Sequence, residues 1–256
     1  MPKTASLTKS LTRGLTQDLF KTPPAAGFSN TYSMDFDGSD DYVFCYTGSD
    51  LNFIHTAATL AYWCRYDSTP STYTSIGLNA TGKKFRMGVY GSSYTWAECG
   101  DGSSYGSISA GAIAGGEWHH YALVANGSTL KTFVDGNECS SNSYTPSSSN
   151  NPTNDFMIGG SNSGSSTLTH PIDGQIDEVA IWSAALSSDA LTQIYNSGVP
   201  TDLSEDVGNY SSSGSLYSWW RMGDNNGGTG TAITDMGSGG NDGAITGATF
   251  SSNLPS

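Results

Sequence analysis

The chain has 256 residues, enough for one large all-β domain, and with 13% charged residues and 32 glycines it is neither a coiled coil nor a charge-rich disordered segment. A formal net charge of −13 with ten Lys plus Arg excludes a basic face of the kind that neutralises phosphates, so no nucleic-acid partner is expected. There is no apolar run of about 18 residues to cross a membrane, and the N-terminal residues, with scattered Lys and Arg, lack the apolar stretch of a secretory signal.

Residues 1–28 end in Thr22-Pro23-Pro24-Ala25-Ala26-Gly27, which favours extended backbone and reads as an N-terminal arm and linker. It is either a free tail or an arm docked on a neighbouring subunit. From Tyr32 the pattern turns to period two: Tyr32, Met34 and Phe36 alternate with Ser33, Asp35 and Asp37, predicting a strand with one buried face. Asp37-Gly38-Ser39-Asp40 turns the chain, and Tyr42 to Cys45 follows as the partner strand. Leu60, Tyr62, Cys64 and Tyr66 alternate in the next long strand, and two shorter runs, Thr74 to Leu78 and Phe85 to Tyr90, flank Ala80-Thr81-Gly82. Between Trp118 and Asn142 the turns Asn126-Gly127 and Asp135-Gly136 delimit a three-stranded meander. Further strands follow at Phe156 to Gly159 and Gly174 to Trp182. One helix is predicted, capped by Ser187 or Ser188, with Leu191, Ile194 and Tyr195 as its apolar stripe and Gly198 with Pro200 ending it. About a dozen short strands and one helix indicate a sandwich.

Cys45, Cys64, Cys99 and Cys139 are widely spaced and form no C-x-x-C pair, which argues against zinc. Their number allows two disulfides, while the apolar strands around Cys45 and Cys64 favour reduced, buried thiols.

Several short words occur in a telling order: Phe36-Asp37-Gly38 with Asp41-Tyr42-Val43, Trp118-His119-His120-Tyr121, Phe133-Val134-Asp135-Gly136, Ile158-Gly159-Gly160, and Gly174-Gln175-Ile176-Asp177-Glu178-Val179-Ala180-Ile181-Trp182. In that order they resemble the laminin-G-like, concanavalin A-like superfamily over about Thr31 to Ser197. The resemblance implies an all-β, concanavalin A-like jelly-roll sandwich with one short helix. The tail, Leu216 to Met222 followed by Asp235 to Gly243, is similar to the segment that ordinarily opens such domains, yet here it closes the chain. Residues 29–256 are therefore expected to form one sandwich with closing strands in 201–256, as in a circular permutation; the alternative is the stump of a truncated second repeat.

Retaining glucanases of the same superfamily carry an E-x-D-x-x-E strand, and the matching positions here are Gln175, Asp177 and Ala180. Retaining hydrolysis needs two carboxylates about 5 Å apart, so no enzyme is expected, with a glucan hydrolase as the remote alternative. Alternation along the strand is expected to turn Glu178 to the opposite face. The same rule keeps His119 and His120 from sharing an ion, and one of them is expected inside, the other on the surface. The superfamily's frequent calcium makes Asp177, Asp235 and Asn241 candidate ligands, against the alternative that they cap their own turns. Exposed aromatics that can stack on sugars are sought at Tyr73, Tyr90, Tyr94, Trp96 and Tyr105.

Two functions follow as expectations. The first is a non-enzymatic virion structural protein, a capsid or tail decoration or fibre of the phage kind. It would be a homo-oligomer that meets other virion proteins through its N-terminal arm and a cell-surface glycan through its sandwich. The second is a carbohydrate-binding adhesion module of a bacterial surface protein, extracellular rather than in a virion.

Overall fold

The computed structural model describes residues 27–45, 47, 51–80, 83–91, 94–100, 105–109, 113, 115–144, 155–162 and 168–256. Residues 1–26, and with them nearly all of the expected arm, lie outside the described residues. In chain order the strands are β1 (Ser33–Asp37), β2 (Tyr42–Cys45), β3 (Ala58–Tyr66), β4 (Ile76–Ala80), β5 (Lys83–Tyr90), β6 (Tyr94–Gly100), β7 (Tyr105–Ser109), β8 (Trp118–Ala125), β9 (Thr129–Val134), β10 (Asn137–Ser143), β11 (Phe156–Ile158), β12 (Ser161–Asn162), β13 (Leu168–Thr169), β14 (Asp173–Trp182), β15 (Leu216–Trp220), β16 (Ala232–Ile233), β17 (Gly243–Thr246) and β18 (Thr249–Ser251). The helix α1 (Ser188–Tyr195) lies between β14 and β15.

These strands form two sheets. The first has the order β10-β9-β8-β3-β14-β1-β18, with β15 also paired to β14; the second runs β16-β17-β2-β11-β4-β5-β6-β7, with β12 joined to β4. Apolar residues of period two meet between them: Met34, Leu60, Tyr62 and Ile176 from the first sheet face Val43, Phe85, Met87 and Val89 from the second. The predicted meander is β8, β9 and β10. Its second turn puts Asp135 at φ 50° and Gly136 at φ 74°, the left-handed pair that a two-residue hairpin requires.

One pairing differs from the expectation. β1 and β2 are not partners: β1 pairs with β14 and β18, whereas β2 pairs with β11 and β17. The Asp37–Asp41 turn therefore carries the chain from one sheet to the other, and the Asp41 carboxylate braces this corner by accepting the Asp37 amide at 2.9 Å.

The outer face of the first sheet carries a second apolar layer. Ala180, Ala61 and Ala122 stand in register across three strands, and this shelf of small side chains admits α1, whose Leu191 and Ile194 pack on it beside Trp182 and Trp219. Ser187 caps the helix by accepting the Ala190 amide at 3.1 Å, and Asn196, in a left-handed conformation, ends it before Gly198 is reached.

The C-terminal strands complete both sheets. β14 is flanked on one side by β1 over Asp173 to Ile176 and by β15 over Val179 to Trp182, so the two strands share that flank end to end. Trp219 packs in the helix layer and Trp220 in the inter-sheet core, both buried. The closing strands thus place both indoles out of water.

Candidate functional site: an exposed tyrosine patch

The site is built on β5 and β6. Their register sets Tyr90 opposite Tyr94, Gly88 opposite Trp96 and Arg86 opposite Glu98, while Phe85, Met87, Val89 and Ala97 turn to the core. The first set therefore lines the outer face of the second sheet. Gly88 has a steric reason: a Cβ there would lie 1.7 Å from the Thr74 carbonyl oxygen. Without it, residues 73–75 run close along β5, with the Thr74 amide donating to Val89 O at 2.9 Å.

That close approach lays Tyr73 on Tyr90, ring centroids 4.4 Å apart and planes 21° apart. Trp96 and His170 meet Tyr73 edge-on at 5.5 and 6.1 Å. Tyr73, Tyr90 and Tyr94 remain 48, 40 and 51% exposed, and Met236 is the one other large apolar side chain so exposed among the described residues. The sequence-predicted aromatics thus come together, with one correction. Trp96 is only 4% exposed, covered by Tyr73 and His170, so it is the floor of the patch and not a stacking surface. Tyr105 pairs with Glu98 through its backbone, and its side chain lies outside the described residues.

Beneath the rings is a polar layer that sequence reasoning missed. Arg86 lies over Trp96 at 4.8 Å and donates to buried Glu98 at 2.6 Å, with Lys84 on the same carboxylate at 3.1 Å. The Arg86 guanidinium also meets His170 Nδ1 at 3.2 Å, so that nitrogen acts as the acceptor. Burial and the Arg86 charge lower the His170 pKa and keep the ring neutral. A cavity of about 170 Å³ is lined by Thr72 and Thr74, the chain neighbours of Tyr73 on either side, and by Pro171, which follows His170.

A second polar cluster sits on the other sheet. Strand alternation predicts Asp177 and Glu178 on opposite faces, but the register slips between Asp177 and Ala180, where Glu178 takes φ 46°. This bulge turns both carboxylates to the outer side. Asn30 donates to Asp177 at 2.7 Å; Arg221 and the Trp219 indole donate to Glu178. Phe28 stacks on Trp219 at 6.4 Å beneath the Arg221 guanidinium, and Asp224 accepts the amides of Thr31 and Tyr32. Burial pushes Glu178 up to about 7 against the pull of Arg221, and burial and the Glu178 charge raise Asp177 well above the usual carboxylate range. Closed over in this way, the pair fastens residues 28–32 to the closing strands.

The histidines do point to opposite faces, but neither is a surface residue. His120 packs on Trp63 at 5.1 Å beside Tyr195 of the helix, and burial lowers it to about 4. His119 is half-buried and bonds Asp135 at 2.8 Å, which raises its pKa. All four cysteines are unpaired, with Cys45, Cys64 and Cys99 buried.

The predicted calcium ligands are not brought together. Asp235 accepts the amides of Trp219, Gly237 and Asn241 at 2.7, 2.8 and 2.8 Å, the turn-capping role. Asn241 bonds Ser218 Oγ. Asp235 bridges Trp220, which in turn pairs with Val179, so β15 stands between Asp235 and the strand of Asp177. Two strand spacings of about 4.8 Å separate them.

No curated protein matches the chain in sequence. Among solved structures, a candidate carbohydrate-binding protein from Bacteroides ovatus superposes with a TM-score of 0.61 at 16% identity, covering 89% of this chain and 62% of that one. The chain thus spans less than two thirds of that protein's length. A heptameric SAP-like pentraxin from Limulus polyphemus superposes with a TM-score of 0.52 at 14% identity, over 65% of this chain and 82% of that one. At these identities the likeness is one of fold. A family model described as the concanavalin A-like lectin/glucanases superfamily matches residues 37–192, and the chain belongs to that superfamily.

Proposed function

We propose that this protein is a non-catalytic carbohydrate-binding module whose contact surface is the tyrosine patch on the outer face of the second sheet. The carrying observation is the concentration at one spot of three of the four exposed large apolar side chains among the described residues, two of them stacked. A stacked pair, one ring on β5 and the other on the segment laid along it, offers rigid, amphipathic rings that lose little freedom when a sugar settles on them. The candidate carbohydrate-binding protein from Bacteroides ovatus, which shares the fold, supports the reading. Gln175 and Ala180 stand where the glucanases of the superfamily carry glutamates, and the carboxylates of Asp177 and Glu178 are packed beneath Asn30, Trp219 and Arg221. The direct test is a glycan array followed by calorimetry on the best ligand: Tyr73→Ala and Tyr90→Ala each weaken binding at least about ten-fold, and no binding to any glycan overturns the reading.

The finer proposal is that the module decorates a virion as an oligomer, with residues 1–28 meeting other particle proteins. It rests on the low-charge, glycine-rich composition and on thiols that stay unpaired. Mass spectrometry of purified particles tests it, and particles lacking the chain overturn it. The alternative is a carbohydrate-binding adhesion module of a bacterial surface protein, and surface labelling of the producing cell would reveal that location.

A further inference from the structure

We propose that the cavity beside Tyr73 receives the end of an oligosaccharide that carries no acidic group, and that the carboxylates around it reject sialylated and other anionic chains. The inference rests on the carbohydrate-binding reading above and adds to it a ligand class and a second contact. Tyr73 joins the two features covalently, because Thr72 and Thr74 line the cavity on either side of it, and His170, whose ring touches Tyr73, is followed by the lining residue Pro171. In this proposal a chain lying on the Tyr73–Tyr90 pair continues past the edge of the 72–74 segment, which separates the rings from the cavity.

The lining matches a sugar ring in chemistry. The hydroxyl-bearing residues Ser68, Thr69, Ser71 and Thr72 are in the lining together with Pro70 and Pro171, a mixture of polar and apolar groups. At about 170 Å³ the space is well below the ~300–1,000 Å³ of sites that hold whole drug-sized ligands. It suits one unit at the end of a chain whose remainder lies on the tyrosines.

The sign of the local charge selects among sugars. Asp173 forms the charged side of the cavity, and burial together with Asp67, Asp35 and Asp37 raises its pKa, which reports a negative field at that point. The neighbouring cation, Arg65, is engaged by Asp67 at 2.8 Å and by Gln175 at 2.6 Å. On the platform side the Arg86 guanidinium is buried against Glu98, beneath the tyrosines and away from the cavity. A terminal carboxylate entering beside Asp173 would meet like charge in a partly desolvated space, the arrangement by which sites refuse wrong partners.

The experiment compares pairs of oligosaccharides identical except for a terminal sialic acid, on an array and then by calorimetry, using the full chain. The expected result is at least about ten-fold weaker binding of the sialylated member. Asp173→Asn, which keeps size and shape, narrows that ratio; Asp173→Lys inverts it; Thr72→Trp, at a lining residue, fills cavity space and weakens chains of several units with an unchanged melting temperature. Equal binding of both members by the wild type, or a ratio that Asp173→Asn and Asp173→Lys leave unmoved, overturns this proposal while the carbohydrate reading stands. Absence of binding to every glycan overturns both.

Discussion

Asp177 and Glu178 are consecutive residues of one strand, and their carboxylates are buried on the same side of it, because Glu178 occupies a left-handed position in a bulge. Glu178 and Asp224 share the guanidinium of Arg221, and Asp177 lies within the field of both carboxylates. A proton held by the pair is the simplest way to reduce that excess of negative charge.

The consequence for pH dependence has a definite sign. Glu178 titrates at about 7 in the folded protein against 4.5 for an ordinary glutamate, so between those values the folded state binds more protons than the unfolded one. Its contribution to stability is full below about 4.5 and falls as pH rises through about 7, opposite to a salt-bridged carboxylate. The melting temperature of Glu178→Gln relative to wild type is therefore expected to rise by several degrees between about pH 5 and about pH 8. Parallel curves for the two proteins would refute it; the titrations of His119, His120 and His170 cancel in the difference.

Arg221 should be far more costly to lose than an exposed cation. Arg221→Met leaves Glu178 and Asp224 buried without their partner and is expected to destabilise by about 3–5 kcal/mol. Lys131→Met, which breaks a pair with Glu138 on the surface, should cost less than about 1 kcal/mol. Chemical denaturation of the two variants checks the contrast, and equal losses would contradict it.

Gly88→Ala tests how the patch is assembled. The added methyl overlaps the Thr74 carbonyl, so residues 73–75 must lift from β5 and the Tyr73–Tyr90 stack opens. Glycan affinity is expected to fall about as far as in Tyr73→Ala. Unchanged affinity would mean that the stack is not what the ligand meets.

Calcium chelation by EGTA should leave the melting temperature unchanged, since Asp235 is committed to backbone amides and lies across β15 from Asp177. Asp235→Ala, by contrast, strands the amides of Trp219, Gly237 and Asn241 and should lower it with or without chelator. A drop of several degrees on chelation in the wild type would reinstate an ion.

Much of the fold was legible because its signals are local. Period two located the long strands, Asp135-Gly136 announced its hairpin, and Ser187 marked the helix start. What failed was non-local or conformational. The Asp37–Asp41 turn reads the same whether it folds a hairpin or crosses between sheets. The bulge at Glu178 has no compositional mark, and without it the strict alternation rule sends that side chain to the wrong face. At the patch, Tyr73, Tyr90, Tyr94 and Trp96 were visible as aromatics, but the burial of Trp96 depends on His170 and on the close passage of Thr74, which only the three-dimensional pairing reveals. In the sequence Ala180 stands out only as the residue in place of a glutamate; its register with Ala61 and Ala122 gives it a second role, as a seat for the helix.

Ser33 at the start of β1 stands opposite Ser251 at the end of β18, and the Ser33 hydroxyl reaches the Asn253 carbonyl at 2.6 Å. The two ends of the sandwich thus leave from one point. Tension applied between them would peel β18 from β1 one bond at a time, in place of shearing the whole ladder at once. The module should accordingly yield first at this seam under mechanical load, while the tyrosine-bearing sheet, remote from the line of force, keeps its shape.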